Sequence, residues 1–319
     1  MIEISIMIEG QMGLNWPRWK KMVNAVEHLG FAGMFRSDHF INASSPDLDS
    51  LEAFVSLTYL AGHTRRIHFG PLVAPFSFRN PVFLARQALA LDDLSSGRMI
   101  LGLGAGWQER EHTMFGFDLG DVQTRLARLE EGLEVVTLLL NNQKPVNYHG
   151  SFYQLRDAVL LPRPERQGGP HILLGGNGHK RTLPLAARYS HIWNGVFLSP
   201  EQFSEHSATL DRLLIEAGRQ PGDVKRTLMH AVYFGRDRAE LDRRLCWRHD
   251  HKNLADKSLD EAIQYLATEV HDIVGTPDMV IEQIKAFEAV GVQELMLQWF
   301  DLDDLDGLQA FAEHVLPTS

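Results

Sequence analysis

Three stretches of this chain hold residue types that chemistry at a bound ligand needs. Asp38-His39 sets a carboxylate beside an imidazole, which gives or takes a proton near neutral pH. Gly175-Gly176-Asn177-Gly178-His179-Lys180-Arg181-Thr182 lines up backbone N–H groups ahead of a helix-length segment, with two cations in its first turn. Lysine and arginine there oppose the helix dipole, and an anion at the positive helix end accounts for them. Gly102-Leu103-Gly104-Ala105-Gly106-Trp107 ends an apolar run in backbone bare of side chains, against which a flat ring can lie. Each stretch also has a plainer reading. Asp-His suits a cap and a surface residue, Gly175 to Thr182 a flexible turn with solvated charges, and the glycines at 102, 104 and 106 a tight turn needing their dihedrals. That glycine spacing is not a dinucleotide fingerprint, which leaves two residues before its last glycine.

The elements that must position these residues alternate along the chain. Ile2 to Ile8 reads as a first strand, and Trp16, Trp19, Val23 and Val26 recur at helical spacing up to Gly30. Phe31 to Ser37 is the second strand and delivers Asp38-His39 to its end. A helix over about 51–61 and a strand over 66–73 follow. Asn80 as N-cap and Pro81 at the first helical position open a helix to Leu94, and the fourth strand ends at the glycines before Trp107. Leu126, Leu129, Leu133, Val136 and Leu140 mark a long amphipathic helix. The remaining strands are 171–174, 191–196, 227–234 and 294–299, separated by helical patterns and closed by a helix from Leu305 to Val315.

Eight strands alternating with helices predict a closed (β/α)8 TIM barrel, α/β in class. Residues 1–319 are expected to form one barrel domain, with insertions at about 143–165, a small β excursion, and 237–271, a polar helical stretch. The three chemical stretches all follow strand ends, where parallel α/β proteins bind ligands. The common barrel phosphate site follows strands seven and eight, whereas this glycine segment follows the fifth.

The balance of 31 basic and 41 acidic residues, a formal charge of −10, argues against non-specific binding to nucleic acid or an anionic membrane. No apolar run reaches membrane-spanning length, and the first residues lack a basic leader. Cys246 is the only cysteine, so an intrachain disulfide is impossible. A cytoplasmic protein is expected. Glu109, Glu111 and His112 do not group enough ligands on one helix face, His249 and His251 are expected to face solvent, and no metal is predicted.

Gly70 to Trp107, with its Arg79-Asn80-Pro81 entry, Leu91-Asp92-Asp93-Leu94-Ser95 and Gly-Leu-Gly-Ala-Gly-Trp ending, resembles the luciferase-like monooxygenase superfamily. Within it, the likeness is greatest to oxidoreductases that use the deazaflavin coenzyme F420. The resemblance implies a bacterial luciferase-like barrel that passes a hydride between F420 and a small organic substrate. It assigns the cofactor phosphate to Gly175, Gly176, Asn177, Gly178, Lys180, Arg181 and Thr182, and the ring to Leu72, Val73, Gly104, Ala105, Gly106 and Trp107. It implies a non-prolyl cis bond at Leu72-Val73, proton movement by His39 with Asp38, and a homo-oligomer, a dimer by family habit. Three positions depart from the pattern. Trp107 stands where sugar-phosphate-oxidising members carry an acid, Asn80 replaces a frequent histidine, and His191 a frequent aspartate. A reduced-FMN monooxygenase on the same barrel is the alternative, and a non-catalytic flavin-binding protein the third possibility.

Overall fold

The computed structural model describes residues 2–247 and 252–316. Its strands are β1 (Glu3–Ile8), β2 (Gly33–Arg36), β3 (His68–Pro71), β4 (Ala74–Pro75), β5 (Ile100–Gly104), β6 (Val146–His149), β7 (Gln154–Ala158), β8 (His171–Gly175), β9 (Ile192–Val196), β10 (Lys225–Phe234), β11 (Ile273–Gly275) and β12 (Glu294–Gln298). Its helices are α1 (Trp16–His28), α2 (Ala53–His63), α3 (Pro81–Leu94), α4 (Glu109–Phe115), α5 (Val122–Asn141), α6 (Thr182–Tyr189), α7 (Pro200–Glu216), α8 (Arg238–Arg244), α9 (Leu259–Tyr265), α10 (Pro277–Ala289) and α11 (Leu305–Val315).

The main sheet runs β3-β2-β1-β12-β10-β9-β8-β5-β4 with parallel neighbours, and a Phe69–Met99 bridge joins β3 to the entry of β5. Because β3 and β4 share one position, this is a (β/α)8 barrel. Alternation along each strand sorts the two sides of its wall. Ile4, Ile6 and Ile8 of β1 pack outward into the layer between strands and helices. Met7 turns inward to meet Phe35, Leu72, Ile100, Leu173, Ile192 and Met296, so that neighbouring strands plug the interior together. Ser5 and Glu9 share the parity of Met7, and Glu294 and Gln298 that of Met296. The barrel interior is therefore polar below and above an apolar middle.

The third strand is not continuous. The Leu72–Val73 peptide is cis, and the ladder lapses there between β3 and β4. Gly70 and Gly102 make this seam possible, since a Cβ on Gly70 would lie 1.8 Å from the Ile100 carbonyl oxygen and one on Gly102 2.0 Å from that of Pro71. Neither backbone has room to retreat. Gly70→Ala is expected to destabilise the fold by about 3 kcal/mol or more, read as a lower urea midpoint.

Asn80 caps α3 as expected, its Oδ1 accepting from the Val82 N–H at 2.9 Å, with Pro81 behind it. β6 and β7 form an antiparallel pair within the stretch read as a β excursion. Two elements escaped the sequence pattern. β11 lies inside the stretch between the seventh strand and α10, and pairs with the upper end of β10 after β12 has paired with the lower. Leu241, Leu245, Leu254, Ala262, Ile263, Leu266 and Val274 form a small core of their own beside it. The second is α4, which bears on the site. His249 and His251 lie outside the described residues. No helix among the described residues is long and apolar enough to cross a membrane.

Candidate active site

A cavity of about 420 Å³ opens among the C-terminal ends of the strands. Its apolar wall comes from Met7, Leu72, Val73, Pro75, Phe197 and Met229, and its polar wall from Glu9, Gln11, Ser37, His39, Asn194 and Gln298, with Glu111 behind His39. Of the residues singled out in the sequence, His39, Leu72, Val73, Gly106, Trp107, Gly175 and Gly176 line it together.

His39 leaves the end of β2 and meets Glu111 of α4, with 2.9 Å between its Nδ1 and Glu111 Oε1. The other carboxylate oxygen accepts from the Phe40 N–H at 3.0 Å, and Gln108 Nε2 donates to the Ile41 carbonyl at 2.9 Å. Thus α4 fixes the loop that carries His39. Burial alone would lower the pKa of His39, but the hydrogen bond and charge of Glu111 outweigh it and leave the imidazole raised. Trp107, 62% exposed, stands edge-on to the ring with centroids 5.6 Å apart and shields it from one side.

Asp38 does not partner His39. Adjacent residues point apart, and Asp38 instead accepts from Arg79 through Nε at 2.8 Å and Nη2 at 2.7 Å. It braces the loop from behind, outside the cavity lining. The carboxylate that the sequence suggested beside the histidine is supplied by Glu111, 72 residues further on.

Glu9 anchors the other polar side. It accepts from Gln298 Nε2 at 2.6 Å and from Gln11 Nε2 at 2.9 Å, while Ser37 Oγ donates to Gln11 Oε1 at 2.8 Å. Asn194 is oriented by Thr227 Oγ1, which donates to its Oδ1 at 2.8 Å. Two buried polar atoms of this wall, Asn194 Nδ2 and Gln298 Oε1, have no protein partner. None of these residues had been singled out, although Glu9 and Gln298 follow the inward parity of Met7 and Met296.

The glycine segments divide. Gly106 has φ +82° and faces the cavity, whereas Gly104 is packed under Val73, where a Cβ would fall 2.5 Å from Cγ2. Ala105 packs partly into the outer core and is not in the lining. Gly175 and Gly176 border the cavity, and Gly176 has φ +123°. Asn177 turns away, its side chain bonding the Val196 carbonyl at 2.8 Å and N–H at 3.0 Å, which fastens the loop to β9. Gly178, Lys180 and Arg181 are exposed beyond it and Thr182 is half-buried. No side chain caps the N-terminus of α6, but the Gly178 carbonyl accepts from the Leu183 N–H at 3.0 Å and Pro184 has no N–H, so the Thr182 N–H is the first-turn donor left for an anion.

Glu3, His68 and Glu294 converge at the opposite, N-terminal end of the barrel, with ligand atoms within 4.8 Å of one another. Lys225 already supplies the positive charge there, bonding both Glu3 and Glu294.

The model of the luciferase-like monooxygenase family matches residues 5–294. An F420-dependent glucose-6-phosphate dehydrogenase of Amycolatopsis mediterranei is 27% identical over 311 residues, 91% of each chain. An FMNH(2)-dependent dimethylsulfone monooxygenase of Pseudomonas putida is 24% identical over 324 residues, covering 93% of this chain and 86% of that one. The solved structure of an F420-dependent secondary alcohol dehydrogenase in complex with an F420-acetone adduct superposes with a TM-score of 0.83 at 18% identity, over 98% of each chain. With nearly the whole barrel matched, this chain belongs to the luciferase-like monooxygenase family.

Proposed function

We propose that the protein is a coenzyme F420-dependent oxidoreductase that passes a hydride between the deazaflavin and a small organic substrate. The observation that carries this is the His39–Glu111 pair set at the edge of a largely apolar cavity beside bare glycine backbone. The residues present fit a deazaflavin. Asn194 Nδ2 and Gln298 Oε1, a donor and an acceptor without partners, match a ring edge that offers amide C=O and N–H groups. Gly106, Gly175, Gly176 and the Leu72–Val73 wall leave space for a flat ring, and the exposed Lys180 and Arg181, with the Thr182 N–H at the start of α6, suit its phosphate. When bound, the deazaflavin supplies a ring carbon that takes or gives the hydride.

The chain's own residues manage the proton. Glu111 accepts from Nδ1 of His39, which leaves Nε2 as the nitrogen for substrate. A neutral imidazole then takes a hydroxyl proton in oxidation, and an imidazolium gives one in reduction. Asp38 supports the loop through Arg79, and Trp107 limits water at the imidazole. Glu111→Gln removes the largest of the interactions that raise the His39 pKa, leaving the burial that lowers it against only the charges of Glu9 and Asp38. The midpoint assigned to His39 in a pH–rate profile is therefore expected to move down in either reaction direction, and turnover to fall about tenfold. An unchanged midpoint would remove Glu111 from this role.

A reduced-FMN monooxygenase is the second reading, favoured by the dimethylsulfone monooxygenase among the relatives. Turnover separates the two. Deazaflavin absorbance that changes with substrate in the absence of oxygen supports the oxidoreductase, whereas oxygen uptake dependent on reduced FMN and substrate supports the monooxygenase. We place the enzyme in the cytoplasm and take it to be one barrel domain acting as a homodimer. The family resemblance and the single cysteine support that placement.

A further inference from the structure

Resting on the hydride-transfer reading above, we infer that the cavity takes an uncharged alcohol, or its carbonyl counterpart, on a mostly apolar body and rejects phosphorylated and carboxylated substrates. Among the described residues, the ionisable groups of the lining are Glu9, His39 and Glu111, with no lysine or arginine. Glu111 is committed to His39 and the Phe40 N–H. Glu9 is held at both oxygens by the Gln298 and Gln11 amides, which point its carboxylate at the polar wall.

The nearby cations are spent elsewhere. Arg79 is engaged by Asp38 and Glu52, and Arg36 is buried against Ser56 and the Leu51 carbonyl. Lys180 and Arg181 stand at the start of α6 and are not in the lining. An anionic group beside His39 would have one positive partner and two carboxylates, Glu9 and Glu111, in the lining of the same cavity. Desolvating it against Met7, Phe197 and Met229 would compound the repulsion. A hydroxyl fits the same place without penalty, because it donates to His39 or Glu9 and brings no charge.

The oxidation balances on these atoms. The carbinol C–H bond breaks and its hydride goes to oxidised F420. The hydroxyl proton goes to His39 Nε2, and a C=O bond forms. The alcohol is oxidised and the deazaflavin reduced, with the reverse path for a ketone.

The test uses a matched pair of probes, 1-naphthol and 1-naphthyl phosphate, titrated calorimetrically into F420-loaded protein, followed by the same pair on Glu9→Gln. Naphthol is expected to bind at least tenfold more tightly, and the variant to narrow that ratio at least threefold. Equal or tighter binding of the phosphate, or no binding of either probe, overturns the inference, and the wild-type pair decides it if Glu9→Gln does not fold. Loss of the functional reading is seen separately, as failure of F420 and FMN to bind before any probe is added. The pair is then run on the protein alone, where the charge of the lining predicts the same order.

Discussion

His39→Asn is expected to lower turnover by about 10²–10⁴-fold while changing the affinity for cofactor less than about threefold. Asparagine can keep a hydrogen bond to Glu111 but cannot take up or release a proton at the position Nε2 occupies. Because Asp38 is tied to Arg79, it does not offer a substitute base. Steady-state rates and a deazaflavin fluorescence titration on the same preparation separate the two effects. A variant that binds and turns over like the parent would leave the imidazole as a wall residue only.

At the other end of the barrel, Glu294→Gln is expected to destabilise the fold by about 3 kcal/mol at neutral pH, without loss of activity per folded molecule. Glu294 is fully buried and bonds Ser5, His68 at 3.0 Å and Lys225 at 2.8 Å. The variant leaves the Lys225 ammonium with Glu3 alone, half-exposed, as its charged partner. Burial by itself would raise the Glu294 carboxyl, but His68 and then Lys225 hold it at about 2, below the unfolded value. Its contribution is thus complete above about pH 5 and is lost as pH falls toward the folded pKa. Urea midpoints measured from pH 7 down to pH 3 should fall for the parent and vary less for the variant. Parallel curves would contradict the coupling.

Much of this architecture was legible because barrels repeat a simple pattern. The Asn80-Pro81 helix start, the glycine helix stops and the apolar runs gave strand and helix order, and the strand ends gave the side on which the cavity opens. What escaped depends on contacts between distant segments. The two turns of α4 carry Glu109, Arg110, Glu111 and His112 in a row, a polar run without helical apolar period. Its docking on the His39 loop, and so the true partner of His39, had no local signal. Asp38 was a natural choice by adjacency, yet successive residues point apart. Asn177 sits in a segment that reads as a phosphate loop, but its amide satisfies the backbone of β9. Glu9 and Gln298 were within reach of sequence reasoning, since each lies two residues beyond an inward methionine.

The most direct test of the account is a paired titration of the purified protein with coenzyme F420 and with FMN, repeated on Lys180→Ala/Arg181→Ala. The account predicts tighter binding of the deazaflavin, weakened about tenfold or more in the double variant as its phosphate loses both cations. Preference for FMN, or deazaflavin binding indifferent to Lys180 and Arg181, would contradict it.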